Sequence, residues 1–182
     1  IMMKTLILIP SRLSAKRLPG KPLLKINGIS IISHVVKKAN ETEIGDVYVA
    51  TEDQEIVSEV KKNGGEAILT SNKPKTGTDR IYEALNKLNK INDVDLVMNI
   101  QGDEPLINVD DIRHLNYQMI KYKNKFGTLA SNITDENLIN NQNAVKVITN
   151  EKLNNHNFPE AINFFRETKK AGKNTYHHLG IY

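Results

Sequence analysis

Thr5-Leu6-Ile7-Leu8-Ile9-Pro10-Ser11-Arg12-Leu13-Ser14-Ala15-Lys16-Arg17-Leu18-Pro19-Gly20-Lys21-Pro22-Leu23-Leu24 is the stretch on which the reading of this chain turns. The apolar run at residues 6–9 reads as a short buried strand. Pro10 is expected to end it, because proline has no N–H to give to a ladder. The loop that follows carries Arg12, Lys16, Arg17 and Lys21, with Pro19-Gly20 turning the chain among them. Cations at this density repel one another unless an anion sits between them. Phosphate suits the place: guanidinium binds its oxygens in forked pairs, and lysine adds a point charge. A solvated basic loop is the plainer alternative, and the rigid Pro-Gly-Lys-Pro punctuation argues against it. Two familiar phosphate loops are excluded. A Walker loop needs glycine where Ala15 stands and Ser or Thr where Pro22 stands, and no G-x-G-x-x-G follows the strand.

Downstream, strand and helix patterns alternate. Ser30 can cap a helix to about residue 39 with Ile32, Val35, Val36 and Ala39 on one face. Residues 47–51 read as a second strand, and Asp53 as the cap of a helix that Asn63-Gly64-Gly65 stops. Residues 66–70 read as a third strand. Thr78 is then expected to cap a helix with Ile81, Ala84, Leu85 and Leu88 inward. Strand–helix–strand order of this kind predicts parallel pairing. Arg80 falls in a first helical turn, where the dipole disfavours a cation, so it is read either as a surface arginine or as one placed to meet an anion.

Residues 95–101 form the most apolar strand, expected to be central, and run into Gly102-Asp103-Glu104-Pro105; Asp110-Asp111 opens the next helix with Ile112, Leu115 and Met119 inward. Ligands of parallel α/β sheets bind beyond the carboxyl ends of the strands. If the first and this strand are neighbours, the basic loop and a carboxylate pair share one crevice. Arginines and lysines would take up part of a nucleoside triphosphate's charge, and Mg²⁺ held by one or two carboxylates would take more. Asp103 is the expected metal ligand, with Glu104 turned away or held by Pro105. The alternative for Asp103 is a turn aspartate bonding its own backbone.

Composition bounds the answer loosely. The chain has 182 residues, 39% of them hydrophobic, no cysteine and no tryptophan, and a net charge of +4. Cysteine nucleophiles, thiolate metal sites and disulfides are therefore excluded from this chain. The basic balance favours anionic ligands without choosing among nucleotide, nucleic acid and acidic sugar. Aromatics are sparse and do not interleave with the cations, so a nucleic-acid stacking platform is not expected. No apolar run approaches the ~20 residues that span a bilayer, and residues 6–9 are too short for a signal-peptide core. A soluble, cytoplasmic protein is expected, with no membrane partner.

Beyond Gly127 the pattern changes to strands at 128–131, 144–149 and 161–165, the last ending at Arg166. A basic loop at 169–173 precedes His177-His178-Leu179-Gly180-Ile181-Tyr182, which reads as the start of a strand. The two histidines are adjacent, not at the i, i+4 spacing of a helical zinc pair, and a structural role is open beside a catalytic one.

The basic loop, Gly77-Thr78-Asp79-Arg80, Gln101-Gly102-Asp103-Glu104-Pro105, Asn143-Ala144-Val145-Lys146-Val147 and His178-Leu179-Gly180-Ile181-Tyr182 occur in this order. Together they resemble the 3-deoxy-manno-octulosonate cytidylyltransferases, also called CMP-Kdo synthetases, over essentially the whole chain. The resemblance implies a Rossmann-like α/β nucleotidyltransferase, mostly a parallel sheet with helices on both faces. One such domain would span 1–182, with a nucleotide-binding half over roughly 1–125 and a sugar-binding and dimerisation part over roughly 126–182. It implies transfer of CMP from CTP to the anomeric hydroxyl of Kdo, with release of pyrophosphate, for lipopolysaccharide biosynthesis, by a homodimer that uses Mg²⁺. It further implies Arg12, Arg17, Lys21 and Gln101 on CTP, with Arg12, Lys21 and Asp103 catalytic and Asp103 on the metal. Arg80, Gln101, Arg166, His178 and Tyr182 would contact Kdo. The match at Arg166 departs from the family's Ser-Arg and proline-containing stretch, since Phe165-Arg166 is followed by Glu167-Thr168-Lys169. Family members continue past the Leu-Gly-Ile-Tyr strand to a second metal-binding aspartate. The expectation is therefore a chain incomplete at its C-terminal end. Transfer to another acidic sugar, of sialic-acid type, and a nucleotide-binding remnant without turnover are the competing readings.

Overall fold

Leu6, Ile7, Leu8 and Ile9 are each at most 1% exposed, which places β1 (Thr5–Ser11) in the interior of a sheet. This is a computed structural model, and it describes residues 3–14, 18–167 and 172–182. The chain divides into two compact units, residues 1–116 with Ile181, and residues 117–180 with Tyr182.

In the first unit β1 is followed by the short hairpin β2 (Lys25–Ile26) and β3 (Ile29–Ser30), then α1 (Ile31–Glu41), β4 (Gly45–Thr51), α2 (Gln54–Lys62), β5 (Ala67–Leu69), α3 (Gly77–Lys87) and β6 (Leu96–Asn99). The sheet has the order β5-β4-β1-β6, and all three pairings are parallel. Leu6 and Leu8 pack with Ala50 against Ile81, Ala84 and Leu85 of α3. Ile7 and Ile9 point to the other face by the two-residue alternation of a strand. The hairpin turns on Asn27 and Gly28, at φ 52° and 81°, the positive pair a tight hairpin turn needs.

Three expectations are corrected here. Pro10 does not end the first strand but lies inside it, opposite Ala50. Its missing donor faces the β6 side: Ile100 N–H reaches Leu8 O, and the β6 ladder stops at the Leu8–Asn99 pair. The strand at 95–101 is not central; β6 lies at an edge of the sheet, and Val97 is 36% exposed. The helix after the third strand is capped by Thr76, not Thr78: the Thr76 hydroxyl accepts from Asp79 N at 3.1 Å and donates to the Asp79 carboxylate at 2.7 Å. Ser30 does cap α1, accepting from Ser33 N at 3.3 Å.

The helix α4 (Val109–Tyr122) crosses the division at residue 116, with Ile112, Leu115 and Met119 buried. The second unit holds β7 (Leu129–Ser131), α5 (Asn137–Asn140), β8 (Lys146–Thr149), β9 (Ala161–Phe165) and β10 (Thr175–Leu179). Its sheet has the order β7-β10-β8-β9 and is antiparallel throughout, unlike the first. Part of the basic loop expected at 169–173 lies outside the described residues.

Candidate active site

The carboxyl ends of β1 and β6 lie side by side, because these strands pair directly, Leu6 opposite Val97. The loops that leave them enclose a cleft of about 300 Å³ lined by Arg12 and Lys21 from the first loop, Gln101 and Asp103 from the second, and Thr76 and Arg80 from α3 and its approach. The structure therefore brings five of the expected residues, Arg12, Lys21, Arg80, Gln101 and Asp103, to one place. Arg17 lies outside the described residues.

The first loop is tied at both ends. Leu13 N donates to the Asp53 carboxylate at 2.7 Å, and Gly20 N donates to Leu13 O at 2.9 Å. Asp53 thus stands at the start of α2 as expected, but its side chain holds the basic loop instead of capping the helix. A carboxylate below the loop also offsets part of the loop's charge. The second loop comes close to β1 because residue 102 is glycine: a Cβ there would sit 3.0 Å from Pro10 O.

Lys21 Nζ and Asp103 Oδ2 are 3.3 Å apart, with side chains 34% and 54% exposed. An ion pair so open to water contributes at most about 1 kcal/mol to stability. Both groups can therefore exchange one another for a ligand's charges at little cost. Glu104 does not line the cleft. Its carboxyl is held above the usual range by crowding from surrounding protein and by Asp103, and Lys21 opposes the rise. The residue as a whole is exposed, so the crowding is local to the carboxyl.

Arg80 is neither a surface arginine nor a bare one. It is 3% exposed; Nη1 donates to Thr70 Oγ1 at 2.6 Å and to Ser71 O at 3.1 Å, and Nη2 to Glu52 at 3.2 Å. Glu83 fixes Ser71 in turn, accepting from its N at 2.6 Å and its Oγ at 2.7 Å, and these bonds lower the Glu83 carboxyl below its ordinary value. Glu52, Asp53 and Thr76 were not singled out by sequence reasoning as site residues. For Thr76 the signal was present, since Thr-x-x-Asp before an apolar stripe is a capping pattern.

The remaining expected residues lie in the second unit. His178 is 9% exposed within β10, with ring contacts to Phe164 at 5.0 Å and to Tyr182 at 5.4 Å. Thr128 directs its hydroxyl hydrogen to Leu179 O at 3.3 Å, which leaves a lone pair for His178 Nε2–H at 2.9 Å. The exposed side chain of Arg166, just after β9, donates to Gln142 O at 3.2 Å and Asn143 O at 3.5 Å.

Burial pulls His178 below the ordinary histidine value of 6.5, and His177 reinforces it; burial and Lys146 do the same to His177. The folded state therefore disfavours imidazolium. Its stability is whole above pH 6.5 and declines as pH falls through that value toward the folded ones. Thermal melts from pH 7.5 to pH 5 should show this decline, and it should be smaller in His178→Gln, whose amide can still donate to Thr128.

Among the described residues no group of three or more His, Cys, Asp or Glu side chains converges to hold a metal unaided. The donor present, Asp103, is a hard carboxylate open to the cleft. That suits a cation such as Mg²⁺, which is bound by one or two carboxylates with substrate phosphates and water filling the rest. No described helix is long and apolar enough to cross a membrane.

The chain is similar to known cytidylyltransferases. A profile of the cytidylyltransferase family matches residues 6–182. The 3-deoxy-manno-octulosonate cytidylyltransferase of Brucella ovis is 41% identical over 181 residues, covering 99% of this chain and 72% of that protein. The enzyme of the same name from Rhodopseudomonas palustris is 42% identical over 180 residues, covering 98% of this chain and 73% of that one. A solved structure of CMP:2-keto-3-deoxy-manno-octonic acid synthetase complexed with CTP superposes with a TM-score of 0.82 at 34% identity, covering 98% of this chain and 72% of that one.

Proposed function

Since the chain belongs to the 3-deoxy-manno-octulosonate cytidylyltransferase family, a family of nucleotidyltransferase enzymes, we infer that it transfers CMP from CTP to the anomeric hydroxyl of Kdo. The hydroxyl oxygen attacks the α-phosphorus, the bond to the bridging oxygen of the β-phosphate breaks, and pyrophosphate leaves with that electron pair. The hydroxyl proton passes to solvent or to the departing phosphate. No covalent enzyme intermediate is needed, so catalysis is positioning and charge stabilisation. The observation that carries the reading is the cleft where Arg12 and Lys21 meet Asp103 at the ends of two adjacent parallel strands.

In this reading Arg12, Arg17 and Lys21 hold the triphosphate, and Lys21 leaves Asp103 for a phosphate oxygen. Asp103 would hold Mg²⁺, which when bound neutralises charge on the phosphates. Gln101 contacts CTP and sugar. Arg80, Arg166, His178 and Tyr182 are assigned to Kdo by the family resemblance, the arginines because the sugar is a carboxylate. The reading carries with it a cytoplasmic homodimer that supplies the activated sugar to lipopolysaccharide synthesis.

The test is product identity. Protein incubated with CTP, Mg²⁺ and Kdo should yield a species with the mass of CMP-Kdo, while N-acetylneuraminic acid in place of Kdo should yield at most about a hundredth as much. Equal yields, or a preference for the second sugar, would overturn the assignment to Kdo.

A further inference from the structure

Lys146 is fully buried, yet no salt bridge neutralises it among the described residues. Its ammonium instead donates to three carbonyls: Asn141 O at 3.0 Å, Ala144 O at 2.8 Å, and Arg166 O. Three donors meet three acceptors, which is the full capacity of the group. The Arg166 guanidinium in turn donates to Gln142 O and Asn143 O. All four consecutive carbonyls of the turn at 141–144 are thus spent on these two cations, and Lys146 also grips the main chain of Arg166 itself.

A buried ammonium is costly, and an apolar side chain would fill the same volume without that cost. What an apolar side chain cannot do is hold the end of β9 and the turn before β8 in one register. We propose that Lys146 is a positioning residue for Arg166, presenting its guanidinium to the carboxylate of the acidic sugar. The proposal rests on the functional reading above. The guanidinium is parked on neutral carbonyls at 3.2 and 3.5 Å. A carboxylate adds an opposite charge and can take the guanidinium in a forked geometry, so the sugar can displace those contacts once the main chain is held. Burial and the Arg166 charge lower the Lys146 amine below its ordinary value and Glu167 opposes them, but the three acceptors favour the charged form.

The test is a double-mutant cycle on the intact enzyme, read in steady-state kinetics with CTP and Kdo. Lys146→Met should raise KM for Kdo about tenfold while KM for CTP stays within about twofold. In an Arg166→Met background the same substitution should add less than about twofold, because its effect runs through a side chain already removed. Lys146→Gln keeps two of the three donors and should fall between; it also serves if the Met variant does not fold. Full additivity in the cycle, or equal changes in both KM values, would overturn the proposal and leave Lys146 a tie for stability alone. A wild-type protein that consumes CTP but not Kdo would instead overturn the functional reading, and this inference with it.

Discussion

Asp103→Asn should lower kcat/KM by about a hundred- to a thousandfold while leaving the fold intact. The substitution keeps size and shape and removes one charge. The Asp103 side chain is 54% exposed and its partner Lys21 is 34% exposed, so the pair that is lost contributes little to stability. The melting temperature should therefore move by no more than about 2–4 °C. The kinetic loss comes from elsewhere. An amide oxygen is a much poorer ligand than a carboxylate for a hard cation, and charge developing on the departing pyrophosphate would lose its counter-charge. The signature is a split between binding and turnover. In the variant Lys21 no longer has a carboxylate 3.3 Å away, so CTP should bind without Mg²⁺ at least as well as in wild type. The metal's enhancement of turnover should disappear. Calorimetric titration of CTP with and without Mg²⁺, beside kcat for both proteins, checks this. A variant that keeps its Mg²⁺ dependence would place the metal on other residues.

Gly45→Ala should destabilise the protein by about 3 kcal/mol or more, the largest stability effect expected of so small a change. Gly45 opens β4 opposite Thr5 of β1. A methyl group built there would lie 1.8 Å from Thr5 O and 2.7 Å from Thr5 C. Both are backbone atoms, so no rotamer change relieves the contact; the two central strands must part or the chain must shift. For a chain of this length the loss corresponds to a fall in melting temperature of about 6–12 °C. Thermal denaturation followed by circular dichroism measures it. A fall below about 2 °C would mean that β1 and β4 do not begin in this register. The consequence reaches the site, because β1 and β4 carry Arg12 and Glu52 out at their far ends.

The parts of this architecture legible in the sequence are those governed by local pattern. The apolar run at 6–9, the Ser30 cap, the stripe Ile81, Ala84, Leu85 and the turn glycines each act within a few residues, and each element stands within about two residues of where its pattern placed it. The basic loop and Asp103 were legible as partners because ligands gather at the carboxyl ends of parallel strands, whatever the side chains. What escaped depends on neighbours distant in sequence. An apolar strand looks the same at an edge as at the centre, so β6 gave no sign of its place. Pro10 is tolerated only because β6 ends beside it. Arg80 reads from its helical position either as a surface arginine or as one placed to meet an anion, and the carboxylate partner that decides it, Glu52, lies 28 residues earlier. The burial of Lys146 rests likewise on the carbonyls of a preceding turn and of Arg166, 20 residues on. The Asn27-Gly28 hairpin is a different case, since Asn-Gly is itself a local turn signal.

The measurement that tests the central claim most directly is pyrophosphate release from purified protein supplied with CTP, Mg²⁺ and Kdo, with each omitted in turn. The account predicts one pyrophosphate for each Kdo consumed, no release without the sugar or with ATP in place of CTP, and near-complete loss in Asp103→Asn. Release indifferent to Kdo, or a protein whose cleft does not bind CTP, would contradict it.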